Sequence, residues 1–387
     1  MAPLGELVRT YGGGTPKKSN PDYFGGSIPW VTPKDMKART VLGSEVTLTA
    51  AGLENSSARL VPANSVLLVT RSGVLKHTLP VGVSQVPVAM NQTMKALVPL
   101  DPLDAGYLAH LLAAWAPRIL RWVRATTADN FPITRLQQLE VPLPPLDEQR
   151  RIARVLDGAD ALRAKRGAAI STLEDLGESC FVDVFGDPQT GNGRWRIGRI
   201  GDLLESATYG TSAKAGPTGD IPVLRMGNLT ASGRIDLTDL KYLDMTPREL
   251  ERYSIRPGDI LFNRTNSADL VGKTALYRNT ERVTFAGYLV RLRVTSEHRP
   301  EYLAAFLNTA YAKQRLRGMC KSIVGMANIN AKELQHVPIP LPPVTLQQTF
   351  AGAIAHLEIM REKAQAHLDH LDVLFASLQH RAFAGEL

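Results

Sequence analysis

Arginine, asparagine, threonine and lysine side chains follow several short apolar runs in this sequence, and their common chemistry is hydrogen bonding to planar or anionic partners. Such runs end at Val31, Val69, Leu224 and Phe262. Arginine can pair with two acceptors of guanine, and asparagine with adenine, in the major groove of duplex DNA. The candidates for base contact are Thr32, Lys34, Asp35, Arg71, Ser72, Arg225, Asn228, Asn263, Arg264 and Thr265.

A second set of basic residues is suited to phosphate contacts, which position a protein on DNA without reading its sequence. The phosphate candidates are Lys17, Lys18, Lys76, Lys214, Lys273 and Lys321. For each of them the alternative is a solvated surface charge. A basic run between Arg150 and Arg166 could face a DNA backbone or a partner subunit, or could be an ordinary helix exterior.

Catalytic chemistry has no counterpart in the sequence. A nucleotide-binding GxxxxGK[ST] motif is missing, and the glycine run at Gly12 is followed by Pro16, which lacks the backbone donor that a phosphate cradle needs. Neither a dinucleotide-binding glycine fingerprint, nor an Asn-Pro-Pro-Tyr stretch, nor an HExxH metal motif occurs. We therefore predict no catalytic residue, no metal site and no enzyme activity in this chain.

The composition suits two domains of ordinary size and an anionic partner. The chain has 387 residues, 44% of them hydrophobic, and a formal net charge of +8. Charge of this sign attracts nucleic acid or acidic membrane without sequence preference. Two cysteines and the absence of an apolar stretch of about 18 residues or of an export signal predict a soluble cytoplasmic protein.

The sequence repeats itself. Residues 130–186 align without a gap on residues 328–384, a shift of 198 positions, and the identities include the Pro-Leu-Pro-Pro stretch at Pro142 and Pro340. The remainder of each half follows at slightly smaller offsets, with Tyr107-Leu-Ala matching Tyr302-Leu-Ala. Each half is therefore predicted to be a variable domain followed by a more similar helical tail.

Both tails carry apolar residues three and four positions apart, which predicts coiled-coil helices entered through a proline corner. The predicted seam of the first tail is Ile152, Val155, Ala159, Leu162, Ala169, Leu173, Leu176 and Cys180. That of the second is Phe350, Ala353, Leu357, Met360, Ala364, His367, Leu371, Leu374 and Leu378. Glycines at 158, 167 and 177 weaken the first helix, so the two helices are expected to pair with each other.

The predicted fold class is α+β, with two variable domains of mixed structure, each followed by a long helix. The two helices are expected to pair as an antiparallel coiled coil with pseudo-twofold symmetry. The predicted boundaries are 1–135 for the first variable domain, 136–186 for a central helical region, 187–333 for the second variable domain and 334–387 for a second helical region. Short helices at Ala105–Ala116 and Pro300–Arg317 should close the two domains, and Trp30 and Phe131 should belong to the core.

Taken together, these features resemble the specificity subunit of type I restriction-modification systems. The resemblance covers essentially the whole chain and is carried by the opening GGGTPKKSNPDYFGGSIPWVTPKDM, by PGDILFNRT from Pro257, and by the two PLPP tails, the first continuing as LDEQRRIARVL. The second tail reads VTLQQTF, with Leu346 in the place of Glu148, which leaves any role of that carboxylate unrepeated.

The resemblance implies that each variable domain is a target recognition domain, which reads one half of a split target on double-stranded DNA. The paired helices would set the unspecified spacer between the halves. The resemblance further implies docking of two methyltransferase subunits and, for cleavage, of a translocating endonuclease subunit. S-adenosylmethionine, ATP and Mg would then belong to those partners. The alternatives are a stand-alone two-domain DNA-binding regulator, which would not need two long apolar helices, and a scaffold without DNA, which would not need the positive charge.

Overall fold

The computed structural model describes residues 1–123, 129–190, 194–267, 270–323 and 326–387, without the side chains of 321–323 and 326. The chain divides into two compact units. Unit 1 comprises Met1–Lys165 together with His367–Leu387, and unit 2 comprises Arg166–Ala366. Each unit therefore contains one recognition domain and a part of each long helix.

Unit 1 is a mixed α/β domain. Its strands are β1 (Ala2–Pro3), β2 (Val8–Gly12), β3 (Phe24–Val31), β4 (Thr40–Val41), β5 (Thr47–Leu48), β6 (Val66–Val69), β7 (Val81–Ser84), β8 (Ala89–Met90), β9 (Met94–Pro99) and β10 (Glu140–Val141). Its helices are α1 (Leu4–Leu7), α2 (Ala50–Glu54), α3 (Ala105–Ala114), α4 (Ala116–Leu120), α5 (Ile133–Gln137) and the first part of α6 (Leu146–Phe185). The sheets have the orders β2-β9-β6-β7-β4, β5-β3-β8 and β1-β10.

The centre of unit 1 is the strand β6, whose four residues Val66–Val69 are all buried. A continuous apolar run of this kind fits a strand covered on both faces, and α3 packs against β6 and β7. Trp30 and Phe131 are both buried, as predicted. The indole N–H of Trp30 donates to the carbonyl of Gly14, so the polar atom of this core side chain is satisfied.

Unit 2 has a closely similar order of elements. Its strands are β11 (Arg196–Arg199), β12 (Leu204–Tyr209), β13 (Ile221–Leu224), β14 (Lys241–Leu243), β15 (Ile260–Asn263), β16 (Thr265–Asn266), β17 (Thr274–Leu276), β18 (Thr284–Phe285), β19 (Leu289–Val294), β20 (Lys321–Ile323), β21 (Met326–Asn328) and β22 (Pro338–Leu341). Its helices are α7 (Pro247–Tyr253), α8 (Pro300–Asn308), α9 (Ala310–Met319), α10 (Ala331–Gln335) and the first part of α11 (Val344–Ala384).

The sheets of unit 2 repeat the arrangement of unit 1. The order β12-β19-β15-β17 corresponds to β2-β9-β6-β7, and β14-β13-β18 corresponds to β5-β3-β8. In both units the strand that contains the Ile-Pro dipeptide pairs parallel with a short strand from later in the domain. The repeat seen in the sequence is thus a repeat of the fold.

The long helices pair antiparallel inside each unit. In unit 1 the Nε of Arg163 donates to Asp372, 2.6 Å away, and Arg151 donates to the carbonyl of Leu387, so residue numbers run in opposite directions along the pair. In unit 2 the rings of Phe181 and Phe350 are 5.9 Å apart. The predicted fold class, including the antiparallel pairing of α6 and α11, is confirmed.

Part of the predicted apolar seam is wrong. Val155, Leu162 and Leu176 of α6 and Met360 and Leu374 of α11 are exposed. Ala353 and His367 of α11 are exposed as well, whereas Ala153, Leu156 and Ala382 are buried. Each long helix packs on a recognition domain as well as on its partner helix. Its buried face is therefore wider than the seam of a coiled coil, and it is turned towards the domain.

The short domain-closing helices also differ from prediction at their ends. The first ends at Ala114, and α4 starts afresh after Trp115. The second is divided at Thr309, whose hydroxyl accepts a hydrogen bond from the backbone N–H of Ala312 and so caps α9. Cys180 and Cys320 are free thiols, as expected.

Candidate nucleic-acid interface

Four strand ends converge at one edge of unit 1. Strands β2 and β6 both run antiparallel to β9, so their last residues lie beside its first residues, and β3 runs parallel to β8. Backbone N–H groups then donate across the loops, from Gly13 to Met94 O (3.3 Å), Gly14 to Met90 O (2.8 Å), Asn91 to Val31 O (3.0 Å) and Arg71 to Thr93 O (3.1 Å). We call residues 13–15, 32–35, 71–72 and 91–93 loop cluster 1.

The same hydrogen bonds recur in unit 2. Backbone N–H groups donate from Gly210 to Leu289 O (3.2 Å), Thr211 to Phe285 O (2.9 Å), Ala286 to Leu224 O (2.9 Å) and Arg264 to Tyr288 O (3.1 Å). We call residues 210–211, 225–228, 264–265 and 286–288 loop cluster 2. The two clusters share a backbone framework while most of their side chains differ.

In each cluster, the backbone just after the first strand passes very close to the loop that follows the short parallel strand. A glycine is needed at that point. A Cβ atom built on Gly13 would lie 1.8 Å from the carbonyl oxygen of Asn91, and one on Gly210 would lie 2.3 Å from that of Ala286. The glycine run at the start of the sequence therefore serves close backbone packing.

The turn after β3 is held by Asp35, a predicted base-contact residue. Its carboxylate accepts hydrogen bonds from the backbone N–H and the hydroxyl of Thr32, at 2.8 and 2.7 Å, and from the backbone N–H of Glu45 at 2.9 Å. Burial raises the pKa of Asp35, but these hydrogen bonds outweigh it and the pKa lies below its ordinary value. The carboxylate is thus ionised and engaged within the loop at neutral pH.

Asn228 occupies the corresponding place after β13. Its Oδ1 accepts from the backbone N–H of Arg225, 2.8 Å away, and its Nδ2 donates to the carbonyls of Asp236 and Asp239, both 2.9 Å away. The residue is almost fully buried. Asp35 and Asn228 therefore organise equivalent turns. Lys34 is exposed on the first turn, whereas Arg225, at the start of the second, is half-buried.

The loops after β6 and β15 contain the two most prominent arginines. Arg71 is exposed, and the hydroxyl of its neighbour Ser72 caps the following turn by accepting from the N–H of Val74. Arg264 is half-buried: its guanidinium lies 4.9 Å from the ring centre of Tyr209 and donates to the carbonyl of Gly287. Equivalent arginines are thus exposed in cluster 1 and stacked in cluster 2.

The other members of this group are more enclosed. The hydroxyl of Thr265 donates to the side chain of Asn328, 3.2 Å away. Asn263 is fully buried, and neither its Oδ1 nor its Nδ2 has a hydrogen-bond partner in the described part of the chain. Arg225 donates to both the backbone and the carboxylate of Asp239.

The phosphate candidates fall into two groups. Lys17, Lys18, Lys76 and Lys214 are exposed, and of these Lys76 lies 3.9 Å from Asp129. Lys273 is half-buried, donates to the carbonyl of Leu229, and has its pKa lowered by burial. Lys321 belongs to β20, and its side chain lies outside the described residues.

One loop of each cluster was missed in the sequence. Residues 91–93 and 286–288 follow the short parallel strands, and they present the exposed side chains of Gln92 and Tyr288. Gln92 also accepts a hydrogen bond from the hydroxyl of Thr15. Both loops follow a two-residue strand, which is too short to be recognised by alternation of apolar and polar residues. The regular spacing of the sequence repeat was the signal that could have located them.

The fold and the two clusters define a class of protein with duplicated recognition domains on a pair of long antiparallel helices. The family model of the type I restriction modification DNA specificity domain matches residues 1–172 and again residues 192–362. The chain belongs to this family and carries two such domains. The family predicted from the sequence is confirmed, and with it the assignment to DNA-recognition subunits rather than catalytic ones.

Two relatives illustrate the extent of the similarity. The EcoR124I/EcoR124II specificity subunit of Escherichia coli is 38% identical over 162 residues, which cover 41% of this chain and 40% of that subunit. The EcoKI specificity subunit of Escherichia coli strain K12 is 25% identical over 313 residues, covering 75% of this chain and 67% of that subunit. The match to the first relative thus spans well under half of its length.

Solved structures show the same fold. The S subunit of a type I restriction-modification system from M. genitalium aligns with a TM-score of 0.59 at 15% identity, covering 99% of this chain and 95% of that one. A chain from a study of complex assembly and conformational transition of the type I system aligns with a TM-score of 0.55 at 18% identity, covering 100% and 97%.

None of the described helices has the length and apolar content needed to cross a membrane.

Proposed function

We propose that this chain is the sequence-reading subunit of a type I restriction-modification complex, and that it recognises a split target on double-stranded DNA. Loop cluster 1 reads one half-site and loop cluster 2 reads the other. The observation that carries this proposal is the shared backbone framework with changed side chains: the loops that carry Lys34 and Arg71 in one unit correspond to those that carry Arg225 and Arg264 in the other.

The predicted contact residues divide by their surroundings. We assign base or phosphate contact to Lys34, Arg71, Arg225 and Arg264, whose long side chains can leave local partners for DNA. Thr32, Ser72 and Thr265 are assigned to the rims of the same loops. Asp35 and Asn228 are assigned to holding the loops in shape, and the fully buried Asn263 is assigned to the interior beneath loop cluster 2. The exposed lysines at 17, 18, 76 and 214 are assigned to phosphates.

The long helices carry exposed apolar side chains that neither unit covers. In unit 1 they are Val155, Leu162, Val373 and Leu374, and in unit 2 they are Leu176, Val182, Ile359 and Met360. Apolar groups repeated along a helix surface favour contact with another protein. These surfaces support the proposal that the helices dock two methyltransferase subunits while fixing the unspecified spacer.

The proposal extends to the rest of the complex and to the domain boundaries. Methylation would use S-adenosylmethionine on the methyltransferase subunits, and a translocating endonuclease subunit with ATP and Mg would cut. The recognition domains are proposed at 1–135 and 187–333, with helical regions at 136–186 and 334–387, acting on DNA in the cytoplasm.

The test is to co-express the chain with its methyltransferase subunit and to map methylated positions in host DNA by single-molecule sequencing. The expected result is a two-part motif with a fixed gap. Exchanging residues 1–135 for those of another specificity subunit should change one part of the motif only, and exchanging residues 187–333 should change the other.

Methylation that does not depend on this chain, or failure to form a complex, would refute the proposal. The stand-alone regulator would then be the next hypothesis, to be tested by selecting DNA fragments that the purified chain binds without partners.

A further inference from the structure

A tyrosine and a glutamine join four elements at the start of α6 in unit 1. The hydroxyl of Tyr107, on α3, donates to the carbonyl of Pro142 at 3.0 Å. The fully buried amide of Gln149, on α6, accepts from the backbone N–H of Asp104 at 2.9 Å and donates to two proline carbonyls. The ring of Phe383, near the end of α11, packs edge-on against Tyr107 at 5.5 Å.

Unit 2 contains the same arrangement. The hydroxyl of Tyr302 donates to the carbonyl of Pro340 at 2.6 Å, and the fully buried amide of Gln347 accepts from the N–H of Arg299 at 3.1 Å. Phe185, near the end of α6, packs edge-on against Tyr302 at 4.8 Å. We call each of these arrangements a clamp; it joins a recognition domain to the first turn of one long helix and the last turns of the other.

A second attachment in unit 1 is ionic. Arg39, which follows the loop at residues 32–35, donates through Nε and Nη2 to Asp160 of α6 at 3.0 and 2.9 Å. Asp160 also accepts from Arg163, which in turn donates to Asp372 of α11. The recognition domain is thereby linked to both helices through one chain of charge-assisted hydrogen bonds.

The ionic attachment is repeated in unit 2. Arg234 follows the loop at residues 225–228 as Arg39 follows the loop at residues 32–35. It pairs with Glu174 of α6, and its Nε lies 3.7 Å from Glu358 of α11, which also accepts from Arg361. The acidic partners Glu358 and Glu174 occupy the positions that align with Asp160 and Asp372 in the repeat. We call each of these networks a brace.

The clamp and the brace of one unit hold its domain at two points of the same helix. Gln149 and Asp160, like Gln347 and Glu358, are eleven residues apart, which is about 16 Å along a helix. Between these two points Ile152, Leu156 and Ala159 of α6 are buried in the core of unit 1. Apolar contacts of this kind have no strict direction, whereas the brace adds an oriented ionic contact that resists small rotations of the domain on the helix. The duplication of both attachments, with different charged residues in the two braces, shows that this geometry is common to both units.

We propose that Arg39 and Arg234 are positioning residues that determine how strictly the spacer length is enforced. The inference rests on the proposed reading of a split target. One additional base pair moves a half-site by about 3.4 Å and rotates it by about 34°. A domain without its brace could turn slightly on the helix and follow part of such a shift, whereas a domain held by the brace cannot.

The test uses the complex with the methyltransferase subunit and duplexes whose spacer is the natural length, one base pair shorter or one longer. Arg39→Met and Arg234→Met, singly and together, should retain methylation at the natural spacer within about threefold. The ratio of the natural rate to the rate at altered spacers should fall about tenfold, as expected for loss of a charge-assisted contact. The exposed Arg59→Met and Arg248→Met are the matched controls and should keep the full ratio.

An unchanged ratio in the folded double variant would overturn the inference, as would an equal loss of rate on all three duplexes, which is the result of general destabilisation. If Arg39→Met does not yield folded complex, Asp160→Asn removes the same ion pair with little change of shape and gives the same comparison. A wild-type complex that methylates without any spacer preference would instead refute the proposed function itself.

Discussion

At the scale of single residues, the two loop clusters separate side chains that hold a loop from side chains that the loop presents. Asp35 and Asn228 have short side chains whose acceptors are occupied by backbone N–H groups of their own turns. Arg71 and Lys34 are exposed on the same framework. Residue type alone could not make this distinction, because asparagine and aspartate are as suitable for base edges as for turns.

Replacing Arg71 by alanine should relax base discrimination in one half-site and leave the other intact. Loss of a bidentate base contact costs about 1–3 kcal/mol of discrimination. The measurement is binding of the methyltransferase complex to duplexes with single base changes in each half-site. Lys76→Ala is the contrasting variant: it should weaken all duplexes alike and reduce the slope of log affinity against log salt by about one. Discrimination lost equally in both half-sites would contradict the assignment.

Replacing Asp35 by asparagine should destabilise unit 1 by about 1 kcal/mol at neutral pH, since a loop cap is weakened. The pKa of Asp35 is lowered in the folded chain, so its stabilisation is complete above the unfolded pKa, near 3.8, and is lost as pH falls through the lower folded value. Urea unfolding of both proteins should show a difference at about pH 7 that shrinks at about pH 3. A difference that grows on acidification would contradict this sign.

At the scale of elements, the sequence predicts the long helices well and their buried faces poorly. Proline corners, the gapless repeat and spacings of three and four are local signals, and they identified α6 and α11. Which residues are buried depends on a second neighbour: Leu156 is buried and Leu162 is exposed although both fit a helical stripe. The loops at 91–93 and 286–288 were missed for a related reason, because only pairing with distant strands defines them.

The helical glycines offer a prediction at this scale. A Cβ atom at Gly158, Gly167 or Gly177 would meet no atom within 4 Å, so Gly167→Ala should raise the free energy of unfolding by up to about 1 kcal/mol. Gly13→Ala should do the opposite, by about 1–3 kcal/mol, since its Cβ would overlap the backbone of Asn91. Thermal unfolding of the two variants beside the natural chain measures both. Stabilisation by Gly13→Ala would contradict the close approach of Gly13 to the backbone of Asn91.

At the scale of the whole molecule, the chain order and the structural units do not coincide. Unit 1 is completed by residues 367–387, from which Phe375 and Ala382 are buried in its core and Phe383 packs on Tyr107. The described core of unit 2 draws only on residues between Cys180 and Ile354. The sequence repeat predicted two similar halves, but only the antiparallel return of α11 shows that the first half is finished by the last segment.

Deleting residues 367–387 should therefore destabilise unit 1 and spare unit 2. Hydrogen exchange should show loss of protection in β6 and α3, while β15 and α8 keep theirs. The matched variant is Val373→Ala, a truncation at an exposed position of the same segment, which should leave both units protected. Equal loss of protection in both units would contradict the division.

Unit 1 is built from two separate stretches of the chain, so during synthesis it is completed after unit 2, although its first residues are made earlier. The ribosome makes the first recognition domain early, but the aromatic ring that packs on Tyr107 is made only after the whole of unit 2. Domains made from contiguous sequence fold as they emerge, whereas this one must wait with part of its apolar surface uncovered. The second recognition domain can thus reach its final form before the first, and apolar surface stays uncovered longest at the end of the chain that was made earliest.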